Sequence, residues 1–268
     1  MHEAVLYSLA GRLSIKVIDF QSALDGIVAY TILFSLLFLS SFANAPTAGL
    51  LEVYRNSLLM AGLAAACALA IIYVYARSVG KSEFRFGLDN AKESVLTSLT
   101  ALVIWATAWI LFGEFSGTYH LALERVRLGL VPLALVVGLL DGLVVYAFCA
   151  ERFVIGLGKQ TGILISSFLG WLLFLAVSVD FALYLLPVVV VFAYVSVRSR
   201  SPLGPAFVTG LLMVFFYVYF AASPWILGSR QTGYWLMTAV SSVSALLAGF
   251  VVAKVPLRGV SCGENSAV

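Results

Sequence analysis

The sequence predicts an all-α polytopic membrane protein, a bundle of about eight transmembrane helices with both termini in the cytoplasm. Three observations predict it. Of 268 residues, 62% are hydrophobic and 11% charged, whereas a soluble domain carries about 25% charged residues. The apolar residues fall in runs of the roughly 20 residues that a spanning helix needs. Lys and Arg gather on alternate connections, as the positive-inside rule requires.

Residues 1–20 do not read as a signal peptide, because Arg12, Lys16 and Asp19 interrupt them before any long apolar core. The loosely helical spacing of Leu6, Leu9, Leu13, Val17 and Phe20 suits a short helix on the cytoplasmic surface or an unstructured terminus. By length, spans are expected at about 22–44, 56–75, 95–113, 128–149, 160–178, 181–197, 203–222 and 233–253. Only the Val179-Asp180 corner separates the fifth from the sixth, so these two should form a tight hairpin. Pro202 and Pro205 suit the start of the seventh, and Pro224 and Gly228 mark its exit. Residues 254–268 are left as a cytoplasmic tail. The longest hydrophilic connection, about 77–94, is far short of the roughly 50 residues of a small folded domain. Residues 1–268 therefore form one membrane domain.

With the N-terminus inside, the inner segments hold Arg12, Lys16, Arg77, Lys81, Arg85, Lys92, Arg152, Lys159, Arg198, Arg200, Lys254 and Arg258. The outer ones hold Arg55, Arg125, Arg127 and Arg230. Twelve against four supports eight spans and both termini inside. Tyr73 and Tyr75 on the inner side, and Trp225 and Trp235 on the outer side, read as interfacial belt residues.

Several function classes fall away. A net charge of +3 is too small to suggest a nucleic-acid partner. Cys67, Cys149 and Cys262 are odd in number and lack CxxC spacing, so neither a disulfide framework nor a zinc knuckle is expected. With only His2 and His120 in the chain, the usual imidazole set of a zinc hydrolase is missing, and no metal or cofactor is expected. No histidine lies in a span, which excludes a simple Ser-His-Asp triad. Gly156 and Gly158 lack the preceding strand and the Lys-Ser/Thr of a phosphate loop.

Four segments stand out in order along the chain. They are Phe84-Arg85-Phe86-Gly87-Leu88, then Ala150-Glu151-Arg152-Phe153-Val154-Ile155-Gly156, then the helix from Gly162 to Gly170 with its Ser166-Ser167 pair, and last Ser201-Pro202-Leu203-Gly204-Pro205-Ala206-Phe207-Val208-Thr209. In order, spacing and eight-helix topology they resemble the CAAX-processing and bacteriocin-processing (CPBP) intramembrane proteases, whose members cut prenylated proteins or handle small peptides. The likeness covers about 84–213. It implies a Glu pair at Ala150 and Glu151, an Arg at Ile155, Phe and His at Gly170 and Phe174, and His and Asn or Asp at Thr209 and Met213. Glu151 alone of these seven keeps the family's residue.

The family's chemistry is thought to use a Glu to activate water, while His and Asn hold the developing oxyanion. A positioned general base is worth about 10²–10⁴ in rate, and an oxyanion donor about 10²–10³. Phe174 and Met213 can neither donate to an oxyanion nor take a proton, and Ile155 cannot anchor a carboxylate. Replacing a buried polar cluster wholesale with apolar residues can stabilise a fold, as expected of a retired active site.

Ionisable residues inside a span cost about 2.5–3.5 kcal/mol on insertion scales. Asp141, deep in the fourth span, reads either as a proton- or ligand-binding carboxyl, or as a structural acid with Gly142 admitting a neighbouring helix. Glu151 reads as a catalytic remnant or as an interfacial acid beside Arg152. Ser166, Ser167 and Thr209 lie where a family cavity would be, and suit a ligand or a backbone carbonyl.

Three functional readings stay open. The first is a non-catalytic CPBP-family membrane protein acting as scaffold, peptide or lipid binder, or complex subunit, with the bilayer and a membrane protein as partners. The second is an active CAAX-type endopeptidase with an altered site built on Glu151 or Asp141. The third is a small-solute transporter using Asp141. All three place the chain in the cell membrane as a multi-pass protein.

Overall fold

The computed structural model describes residues 19–42, 50–78, 88–115, 128–175, 179–222 and 231–254. Among them the chain is almost entirely helical and forms no strand. The helices are α1 (Phe20–Phe42), α2 (Leu50–Ser78), α3 (Ala91–Phe115), α4 (Val131–Gly142), α5 (Ala150–Leu157), α6 (Lys159–Leu175), α7 (Val179–Ser199), α8 (Leu203–Ala222) and α9 (Gln231–Lys254). A π-helical segment, Leu143–Cys149, joins α4 to α5 without a break, so the described chain forms eight rods. Five are long and apolar enough to cross a membrane: Phe20–Leu39, Leu58–Ser78, Ala91–Phe112, Leu128–Leu157 and Leu236–Lys254. The protein is an all-α polytopic membrane protein.

The outward residues agree with a lipid surround. Phe34, Phe38 and Leu39 of α1, Leu63 and Val74 of α2, and Leu246, Leu247 and Phe250 of α9 are exposed. Such continuous apolar surface is rare on a monomer facing water. In hydrocarbon, helices satisfy their own backbone groups, which is why eight rods can carry this surface.

The α4–π–α5 rod is the pillar of the bundle. It touches α1, α2, α6, α7 and α8, and its contact with α8 is the most extensive between any two described helices. Val144 to Ala150 are buried without interruption, as befits a helix enclosed on all sides.

The α4–α8 contact is made by small residues. Gly138 and Gly142 stand one turn apart on α4, and Ala206 and Gly210 one turn apart on α8. A Cβ on Gly142 would lie 2.6 Å from the Ala206 Cα. One on Gly138 would lie 2.6 Å from the Thr209 carbonyl oxygen and 2.8 Å from the Gly210 Cα. From the other side, one on Gly210 would lie 2.7 Å from the Leu135 carbonyl oxygen. The two backbones therefore touch directly, the small-xxx-small device of membrane helices.

The π segment widens the turn above α5. At its start the Leu143 N–H is shared between the Leu139 and Leu140 carbonyls. At its end the Ala150 N–H reaches back five residues to the Val145 carbonyl. The Tyr146 carbonyl, beside this change of spacing, accepts the Ser196 hydroxyl of α7 at 3.3 Å.

The fourth rod runs eight residues past the expected end at 149, closing at Leu157. Glu151 and Arg152 do not stop the helix, because a charged side chain is compatible with helical backbone. Arg152 lays its guanidinium over the Phe148 ring, 5.3 Å from the centroid. The stop is Gly158, whose φ of 87° is readily adopted only by glycine. The reversal is tight, since a Cβ on Gly162 of α6 would lie 2.6 Å from the Val154 nitrogen. Val179 and Asp180, expected as the corner of a hairpin, instead open α7, which packs against α6; residues 176–178 between the two helices lie outside the described residues. The surface helix proposed for the N-terminus, residues 84–87, His120, the Pro224–Gly228 exit and the C-terminal tail lie outside the described residues.

Two predictions follow from the backbone contact. Gly142→Val places atoms against the Ala206 backbone, which cannot yield, so it should cost at least the about 1–3 kcal/mol of an overpacked core. Gly129→Ala, where no atom lies within 4 Å of the new Cβ, should change stability by no more than about 1 kcal/mol. Thermal unfolding of the two detergent-solubilised variants against the parent checks both.

Candidate functional site

The π segment carries the side chain that organises the interior. Tyr146 is buried and its hydroxyl is hydrogen-bonded to Thr209 of α8. The Thr209 hydroxyl also bonds its own helix, donating to the Pro205 carbonyl at 2.8 Å. Gly170 of α6 completes the surroundings. A Cβ there would lie 3.3 Å from Val145, 3.4 Å from Val189 and 4.0 Å from the Tyr146 hydroxyl. Tyr146 thus reaches α6 and α8 with its side chain and α7 with its carbonyl.

The positions singled out in the sequence scatter around this centre. Ala150 and Thr209 are buried. The Met213 side chain lies over Gly138, with its Cγ 2.6 Å from a would-be Cβ there. Ile155, by contrast, is 49% exposed on the outside of the bundle. Glu151 is partly buried within the helix, about two turns before its end. The backbone of Phe174 belongs to α6, but its side chain lies outside the described residues. Ser166 and Ser167 are buried. Their hydroxyls donate back along their own helix to the Gly162 and Ile163 carbonyls, each at 2.6 Å, the usual satisfaction of a hydroxyl inside a membrane helix. Of the candidates, Gly170 and Thr209 are brought together about Tyr146, and Asp141 and Glu151 stand on opposite sides of the π segment.

Asp141 is 7% exposed, and its Oδ1 has no hydrogen-bond partner among the described residues. Native structures leave few such atoms.

A second acid was passed over in the sequence. Asp25 lies near the start of α1, 1% exposed. Its Oδ1 accepts the Tyr75 hydroxyl of α2 at 2.8 Å and the Gln21 side-chain amide at 3.2 Å. Arg152 of α5 lies close enough to act on Tyr75 electrostatically. The Tyr75–Asp25 bond ties α2 to α1 at one end of the bundle. An acid inside an expected span was available as a signal for Asp25, as it was for Asp141. Tyr146 offered no such signal, since one more aromatic in an apolar run is unremarkable.

Chemically, the interior around Tyr146 offers one phenol and one threonine hydroxyl, bonded to each other. Among the described residues, no three His, Cys, Asp or Glu side chains stand close enough to hold a metal ion. Comparison of the chain with family models, curated proteins and solved structures finds no match.

Tyr146→Phe should cost about 1 kcal/mol, the net worth of one buried hydrogen bond, whereas Tyr146→Ala should cost about 3–5 kcal/mol by opening a cavity between three helices. Tyr75→Phe, which removes the donor to buried Asp25, should cost about 0.5–2 kcal/mol. Thermal unfolding in one detergent, with all three variants side by side, reads these differences.

Proposed function

We propose that this chain is a non-catalytic relative of the CPBP intramembrane proteases, a multi-pass protein of the cell membrane that works as a scaffold, binding protein or complex subunit. Its even number of rods and its Lys and Arg distribution support both termini in the cytoplasm.

The observation that carries the proposal is the filling of the interior at Thr209 and Met213, where the resemblance would put a histidine and its Asn or Asp partner. Thr209 is engaged by Tyr146, Met213 covers Gly138, and α4 meets α8 backbone to backbone. Hydrolysis needs a water, a base and an oxyanion donor converging on one carbonyl. The packing around Tyr146 supports none of these, and the outward Ile155 speaks against an inward anchor for Glu151. Asp141 and Glu151 are ten residues apart, about 15 Å along a helix, too far to share one water. A transport reading draws on one observation, the Asp141 Oδ1 without a hydrogen-bond partner among the described residues.

The test is cleavage of a farnesylated peptide by the purified protein in liposomes. The expected result is no product above protein-free liposomes, and no difference between the parent and Glu151→Gln. Product formation that Glu151→Gln abolishes would overturn the proposal.

A further inference from the structure

We propose that the Asp141 carboxyl is a proton-binding site at the centre of the bundle, holding its proton in the closed arrangement and exchanging it when the helices around α4 part. The inference depends on the membrane placement of the bundle and not on the loss of protease activity.

The first ground is burial without a partner. Asp141 is more than nine-tenths buried, and its Oδ1 meets no donor among the described residues. The second is position. Val137, one turn before Asp141, lies against α2, where a Cβ on Gly62 would be 3.1 Å from its Cγ2. Residues four apart share a helix face, so Asp141 belongs to the side of α4 that turns to α2, while Gly138 and Gly142 turn to α8. The third is the lack of counter-charge nearby. α8 carries no Asp, Glu, Lys, Arg or His between Leu203 and Ala222. On α2 the charged residues are Glu52 and Arg55 near one end and Arg77 at the other. Cys67, the titratable group in its middle, is exposed on the outer surface. Along its own rod the next titratable groups are Tyr146, engaged by Thr209, and buried Cys149, followed by Glu151 and Arg152.

An isolated ionised carboxylate in such surroundings is far more costly than the neutral acid. The acid form presents one O–H donor and a carbonyl. Losing that proton requires water or a cation to reach the carboxyl, whose Oδ1 is fully buried in the closed arrangement. The π segment begins two residues on, and π-bulges recur where helices shift at functional sites. A change of its hydrogen-bond spacing would turn Asp141 relative to α5 and supply the opening.

The experiment uses the full chain in native membranes and N,N′-dicyclohexylcarbodiimide, a lipid-soluble reagent for protonated carboxyls. The acid O–H adds across one C=N bond of the carbodiimide. Oxygen bonds to the central carbon, the proton goes to nitrogen, and the acyl group then moves from oxygen to nitrogen to leave a stable N-acylurea. No atom is lost and nothing is oxidised.

The expected result is an N-acylurea on the peptide containing Asp141, lost in Asp141→Asn and not formed by a water-soluble carbodiimide. No adduct at Asp141, or equal labelling by the water-soluble reagent, would overturn the proposal. Infrared spectroscopy then separates exchange from a sealed structural acid. A protonated-carboxyl C=O band that vanishes in Asp141→Asn and shifts in D₂O supports exchange, and a band that stays unshifted overturns it. The parent alone gives the labelling and the D₂O response, so a poorly folded Asp141→Asn leaves the test intact.

Discussion

Contact between the backbones of α4 and α8 is the constraint on which the rest of the bundle depends. In lipid no hydrophobic force draws helices together, so close packing must supply the attraction. Gly138, Gly142, Ala206 and Gly210 allow two helix axes to come nearer than any pair of larger residues would permit. That approach carries Tyr146 to Thr209. It also brings α8 within reach of α3, where Trp105 and Trp109 set their ring planes edge-on to Phe215, with centroids 5.9 and 5.4 Å apart.

Around this seam, hydroxyls serve as knots between helices. Trp105 of α3 donates its indole N–H to Ser241 of α9 at 2.7 Å, and Ser241 donates onward to the Tyr184 carbonyl of α7. Near the start of α3, Ser94 donates to the Ser201 carbonyl at 2.8 Å and Asn90 to the Ser199 carbonyl at 3.0 Å. Arg200, with a φ of 53°, turns the chain between α7 and α8 at this point, and Gly204 lies against Ser94. Arg198 extends the same region to α9 through the Val252 carbonyl. Such bonds are worth little singly in a membrane, about 0.6 kcal/mol on average, but they select one register among many apolar alternatives.

Length and hydropathy made the eight rods legible, because the bilayer imposes a length that any stable span must meet. Every expected span between 22 and 253 has a helix in its place. The ends were less legible. Charge at Glu151 and Arg152 reads as a helix end, although the backbone there continues until Gly158. The interior was legible only where a residue was expensive. Asp141 could be singled out by cost, and Asp25, near the start of a span, by the same rule. Tyr146 could not, because its role comes from two partners 50 and 63 residues further along the chain, Ser196 and Thr209. Ser166 and Ser167 show the converse, a polar pair conspicuous in the sequence whose hydroxyls turn back on their own helix.

The wide turn also explains why no single stripe of residues can be traced along the central rod. One residue of an α-helix subtends about 100°, so an interval wound at a different pitch puts the two ends of the rod out of phase. The Gly138–Gly142 edge above it is aimed at α8, while Gly156 below it is aimed at the backbone of Ala23 on α1. One continuous span thus addresses two sets of neighbours, like a key cut on two edges. Insertions or deletions within Leu143–Cys149 would act as rotations of one half of the protein against the other, not as changes of length.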